Sequence, residues 1–112
     1  MYQLPIYIVP ITNLGELQLL AIGLIKRGIQ FEFREMFNGG QIIVYEKINT
    51  PYEMAGKLER KWDAICHDGS YGSESGLLEI MGELVDEEEV GDTVEGYLTA
   101  KEVLERVDRR AE

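Results

Sequence analysis

Between positions 14 and 24 apolar residues recur with a helical period: Leu14, Leu17, Leu20, Ala21 and Leu24 fall on one side of a helix. Asn13, with Glu16 three residues later, predicts its start as a capping box, and Gly28 predicts its end, so the helix runs to about Arg27. Leu19, Ile22 and Ile25 carry the apolar surface around much of its circumference. Such a helix is expected to be well buried, or partly buried by a second subunit. On either side the period changes. Residues 2–11, with Ile6, Tyr7, Ile8 and Val9 between two prolines, predict a strand. Residues 29–37 alternate, with Ile29, Phe31, Phe33 and Phe37 on one face and Gln30, Glu32 and Arg34 on the other. Asn38, Gly39 and Gly40 tolerate positive φ, and residues 41–47 resume as a strand, which predicts a hairpin.

Further along, residues 49–58, with Pro51 and Gly56, predict an excursion that holds a helical turn. Residues 61–67 predict a third sheet strand, with Trp62, Ala64 and Cys66 on one face and Asp63, Ile65 and His67 on the other. Leu77, Leu78, Ile80, Met81 and Leu84 fit a short second helix over 75–84, followed by a solvated acidic connection over 86–92. Residues 94–98 are extended. Thr99 and Glu102 form a capping box, Leu98 and Val103 have hydrophobic-staple spacing, and the last helix packs Val103, Leu104 and Val107 before fraying near 109–112. The order β-α-β-β-β-α-β-α predicts an α+β fold with helices packed on a small, largely antiparallel sheet.

Composition sharpens this picture. A chain of 112 residues with 45% hydrophobic content suits one domain spanning 1–112. The apolar stretch over 17–25 is too short and too interrupted to span a membrane, and no leader pattern precedes it, so a cytoplasmic protein is expected. Cys66 is the sole cysteine and His67 the sole histidine, so neither an internal disulfide nor a zinc site of the usual Cys/His kind is expected, and no cofactor. The net charge of −10 is uneven. Residues 1–60 carry six basic and six acidic side chains, whereas residues 61–112 carry five against fifteen. Such a surface repels nucleic-acid phosphates, and direct nucleic-acid binding is not expected.

The candidate chemistry gathers in the loop over 67–76. A strand leading through Gly69, Ser70, Tyr71, Gly72, Ser73 and Ser75 into a helix lets backbone N–H groups converge at a positive helix end, as phosphate binding requires. Tyr71 offers a ring for base stacking, and His67 and Arg34 offer charge to a phosphate; Asp68 and Glu74 oppose a highly charged anion unless they turn outward. The plainer reading is a strand-to-helix turn capped by Ser73 or Ser75. Catalysis has little to draw on. A triad of Ser70, His67 and Asp63 or Asp68 lacks a nucleophile elbow. Cys66 and His67 point to opposite faces of a strand, and Glu79 with Glu83, one helical turn apart, read as a wet helix face. A binding protein is expected in place of an enzyme.

Three stretches, GIQFEFREMFNGGQIIVY, WDAICHDGSYGSESGLLEIMG and VEGYLTAKEVLERV, resemble a group of small phage and prophage proteins, mostly of Gram-positive bacteria. That resemblance implies a role in evading host defence. Two forms of it fit the residues. The one that the convergent loop geometry favours is a homo-oligomeric sponge, of the anti-CBASS or anti-Thoeris kind, that sequesters a cyclic nucleotide signal without cleaving it. The other is an acidic protein-directed inhibitor, such as an anti-CRISPR or DNA mimic, using the acidic run over 86–92 and the total charge, and neutralising Glu87, Glu88 and Glu89 is expected to abolish it. A structural phage protein is the remaining class.

Overall fold

The computed structural model describes residues 15–47, 58–86 and 94–111. The strand expected over 2–11, most of the excursion over 49–58 and most of the acidic stretch over 86–92 lie outside them. The fold is α+β: two helices pack on a five-stranded antiparallel sheet whose strands neighbour one another in chain order.

Helix α1 spans Glu16–Lys26. It begins at Gly15, whose N–H donates to Gln18 Oε1 at 2.8 Å, later than the start expected from Asn13, which lies outside the described residues. Glu16 has a different task from the one expected: its Oε2 accepts from the N–H of Ala100 at 3.1 Å, satisfying a donor at the head of the last helix. The expected stop holds, with Gly28 at φ 69°.

Strands β1 (Glu32–Met36) and β2 (Gly39–Lys47) form the expected hairpin with a different turn. Met36 pairs with Gly39, so the two loop residues are Phe37 (φ 43°) and Asn38 (φ 60°). Positive φ at both positions is the geometry that matches strand twist in a two-residue loop. Gly39 and Gly40 are needed for close approach instead. A Cβ on Gly39 would stand 1.8 Å from the carbonyl oxygen of Cys66, and one on Gly40 would stand 2.8 Å from Leu17 Cδ2 and Phe33 Cζ.

Strand β3 (Leu58–Cys66) keeps the predicted faces: Trp62 and Ala64 are buried with Cys66 packed beside them, while Asp63 and Ile65 look the other way. The helix expected over 75–84 is a 3₁₀ turn at Ser73–Ser75 followed by strand β4 (Leu78–Gly82). Leu78 and Ile80 face the core, and Glu79 lies opposite Ile65 of β3. Strand β5 (Val94–Leu98) and helix α2 (Ala100–Arg110) follow as expected. Thr99 Oγ1 accepts from the N–H of Glu102 at 3.2 Å, and Glu102 Oε1 accepts from that of Thr99 at 3.0 Å.

The core lies between the helices and one sheet face. It joins Leu20 and Leu24 of α1, Ile42 and Trp62, Ile80 and Leu98 of the sheet, and Val103 and Val107 of α2. Leu104 approaches α1 so closely that a Cβ on Gly23 would stand 2.3 Å from its Cδ1. Among the described residues no helix is long and apolar enough to cross a membrane.

Candidate functional site

The loop after β3 is closed on itself. Ser70 is 5% exposed, and its Oγ accepts from the N–H of His67 at 3.0 Å while donating to the His67 carbonyl at 2.8 Å. Most of the N–H groups offered for a phosphate cradle are already paired. Those of Ser70, Ser73, Ser75, Gly76 and Leu77 bond to carbonyls within the loop, that of Asp68 bonds to the Phe37 carbonyl at 2.8 Å, and that of Tyr71 bonds to Glu79 Oε1 at 3.0 Å. Gly69 and Gly72 take φ of 91° and 97°, values that the turn demands of glycine. The loop runs into a single 3₁₀ turn and a strand, so no helix end stands behind it, and neither Ser73 nor Ser75 caps a helix. Among the described residues an anion at this loop therefore meets few free amides, no helix dipole and no Lys or Arg from the loop itself.

Arg34 lies opposite Gln41, which in turn lies opposite Ile65, so two strand spacings separate it from β3. Its guanidinium holds Glu32 at 2.9 Å. Tyr45 Oη donates to the same carboxylate at 2.7 Å, and these two hydrogen bonds hold Glu32 below the usual carboxylate range. From residue 62 to residue 86 the sequence has no Lys or Arg, while Asp68 and Glu74 are exposed and Glu79 partly so. His67 is the loop's one titratable nitrogen, and its Nδ1 lies 2.9 Å from the Asp68 carbonyl.

The expected catalytic sets do not assemble. Ser70 Oγ is committed to the backbone of His67 and not to its imidazole. Cys66 packs toward the core, where burial pushes its thiol pKa up, away from the reactive thiolate. Glu79 and Glu83 are not one helical turn apart: Glu79 sits on β4 and Glu83 in the turn beyond it, 3.8 Å from Lys61 Nζ. Among the described residues no three His, Cys, Asp or Glu side chains gather as a metal site.

What the loop does assemble is an aromatic rim. Asn38 Nδ2 donates to Asp68 Oδ2 at 2.7 Å, tying the β1–β2 turn to the loop, and the rings of Phe37 and His67 meet edge-on with centroids 5.5 Å apart. On the other side the N–H of Tyr97 donates to the Tyr71 carbonyl at 3.3 Å. One end of the sheet thus carries Phe37 (71% exposed), Tyr71 (59%) and Tyr97 (60%). Two of these rings stand on unfavourable backbone. Phe37 has φ 43° and Tyr97 has φ 61°, the latter in a bulge where Gly96 and Tyr97 oppose the single residue Glu79. Left-handed backbone costs a bulky L-residue about 1–2 kcal/mol. Beside the rim a recess of about 840 Å³ opens between the start of α1 and the hairpin, bordered by Phe33, Met36, Phe37 and the carboxylates Glu16 and Glu35.

Of the eight residues expected in the site, only Tyr71 has its ring in this rim, with His67 behind Phe37; the remaining loop residues build the turn that carries it. Phe37 and Tyr97 were missed, because alternation assigned Phe37 to a strand face and 94–98 to plain extended chain. One signal was present in the sequence. Each exposed ring adjoins a turn-forming residue, in Phe37-Asn38, Tyr71-Gly72 and Gly96-Tyr97. No family model, curated protein or solved structure matches the chain, so the chemistry of this rim is read from its own residues.

Proposed function

We propose that the protein acts by binding and not by catalysis, and that its target is a basic protein surface engaged by Phe37, Tyr71 and Tyr97. The observation that carries this is the exposure of three large rings at one end of the sheet, two of them on strained backbone. Folding alone favours Asn or Gly at such φ and gains nothing from a ring left in water, whereas interface centres favour aromatic anchors. Asp68, Glu74 and Glu79 flank the rim, and the chain carries a net charge of −10, which suits a positively charged partner. In the phage setting that the resemblance implies, the partner is a host defence nuclease, bound at the basic channel that otherwise holds nucleic acid.

The test is direct binding of the full chain to a panel of purified defence nucleases, CRISPR effectors included, measured by interferometry at low and high salt. One nuclease should bind, more weakly as salt rises. Phe37→Asn should weaken that binding at least tenfold while raising the protein's own stability by about 1 kcal/mol, because Asn accepts left-handed backbone. A variant that gains stability and binds unchanged, or a panel with no binder, would sink the proposal.

Sequestration of a cyclic nucleotide is the second reading, favoured by the exposed Tyr71 ring, on which a base would stack. A ligand of the folded state raises the melting temperature. Cyclic di- and trinucleotides and cyclic ADP-ribose isomers should therefore do so, and Tyr71→Ala should cancel the rise. Flat melting curves across that panel rule this reading out.

A further inference from the structure

The outer face of α1 carries a second apolar surface, remote in sequence from the aromatic rim. Leu19, Ile22 and Ile25 are between 41% and 52% exposed and form one stripe along the helix. Beside the stripe runs a groove of about 550 Å³ between α1 and α2, lined by Glu16, Leu19, Ile22, Lys26, Lys101 and Glu105 among others. The two helices run in the same direction. Glu16 reaches the first turn of α2 at Ala100, and Arg27 pairs with Asp108 near its last turn, at 2.7 Å. The groove therefore has a fixed charge pattern. Toward its N-terminal end it is lined by the acid Glu16 of α1 and the base Lys101 of α2, and toward its C-terminal end by the base Lys26 of α1 and the acid Glu105 of α2.

We infer that this face binds a second copy of the chain through a two-fold axis near Ile22, with α1 lying antiparallel over α1 of the partner. Charge and apolar surface each select this occupant. In a molecule of net charge −10, the groove is a surface where acids and bases balance, so two like-charged copies meet there without net repulsion. Antiparallel superposition of each helix on its own copy sets Glu16 against Lys26 of the other chain and Lys101 against Glu105. A two-fold along the groove would also match charges, since α1 would then cover α2 of the partner with Glu16 against Lys101. That arrangement, however, lays the stripe on Lys101 and Glu105. Of these two, the antiparallel arrangement sets stripe on stripe, with Leu19 meeting Ile25 and Ile22 meeting itself, whereas α1 parallel over α1 would set Glu16 on Glu16 and Lys26 on Lys26. Self-complementarity of this kind is what an isologous interface requires. The aromatic rim is not part of this face, so the inference stands or falls independently of the proposed target.

Sedimentation of the full chain should give a concentration-dependent mass approaching twice 12.8 kDa. Ile22→Asp should be monomeric with unchanged circular dichroism, since the side chain it replaces is exposed in one copy. In a Cys66→Ser background, Ile22→Cys should oxidise to a cross-linked dimer, because the axis brings the position onto itself. Two charge variants then fix the arrangement. Lys101→Glu alone should weaken association about tenfold, as two symmetry-related pairs become like-charge contacts. The double exchange Lys101→Glu with Glu105→Lys should restore it, because α2 over its own copy again pairs unlike charges. With α1 over α2, the same double exchange would set Glu16 against an acid and stay weak. A monomeric wild-type chain, an Ile22→Asp dimer, or failure of the double exchange to restore association would each overturn the inference.

Discussion

Asp63 sits on the sheet face away from the helices, where Gln41 Nε2 donates to its Oδ2 at 2.6 Å. Burial pushes its pKa up more than that hydrogen bond and nearby Arg60 pull it down. The sign follows from proton counting. Between the ordinary carboxylate value and the raised one, the folded chain holds a proton that the unfolded chain has released. Stability is therefore present at acid pH and falls as pH rises through the raised value. Asp63→Asn keeps an acceptor for Gln41 and removes this loss, so it should raise the melting temperature at neutral pH, with the gain vanishing near about pH 3. An equal gain at both values would refute the assignment. The same scale explains why the loop misled. Its string of Gly, Ser and Tyr suits a phosphate cradle and a self-closed turn equally well. What separates them is whether each N–H is already paired: most bond to carbonyls inside the loop, and those of Tyr71 and Asp68 bond to Glu79 and Phe37, which approach only in the folded sheet.

The segment 75–84 shows how two periods coexist in one string. Leu77, Leu78, Ile80, Met81 and Leu84 suit a helix, yet Leu78 and Ile80 alternate with Glu79 and Met81 as a strand requires. Pairing settles the choice: β4 takes both β3 and β5 as neighbours, and those ladders satisfy backbone groups that a helix would have left as a gap in the sheet. The capping box at Thr99 and the alternation of β3 needed no such help, since their signals are local and unopposed. Gly39→Ala forces a Cβ against the Cys66 carbonyl, a backbone atom that cannot swing aside, and should cost about 3 kcal/mol in urea denaturation. Gly28→Ala, where a Cβ meets nothing within 4 Å, carries only the penalty of positive φ and should cost less. Equal costs would show that Gly39 serves conformation alone.

Across the whole molecule, α2 is bolted to the sheet by charge as well as by its apolar face. Arg106, nearly buried, grips Glu95 of β5 through two hydrogen bonds of 2.7 and 2.5 Å and donates to the Leu84 carbonyl at 3.1 Å. The Arg106 hydrogen bond holds Glu95 below its ordinary value, so the clamp contributes fully above that value and is lost as pH falls through the lowered one. Arg106→Ala should cost about 2 kcal/mol at neutral pH, and the difference from wild type should shrink as pH falls below the ordinary carboxylate value. A cost independent of pH would place the effect in packing alone. The α+β class, the first hairpin, helix α1 and the capped helix α2 are legible along the chain, because periodicity and caps act over a few residues. The rest awaited the tertiary structure. Whether 75–84 is strand or helix, whether the Asp68 and Tyr71 amides are free, and which rings stand in water all depend on contacts between segments distant in the chain. Local sequence offers the alternatives, and long-range pairing chooses among them.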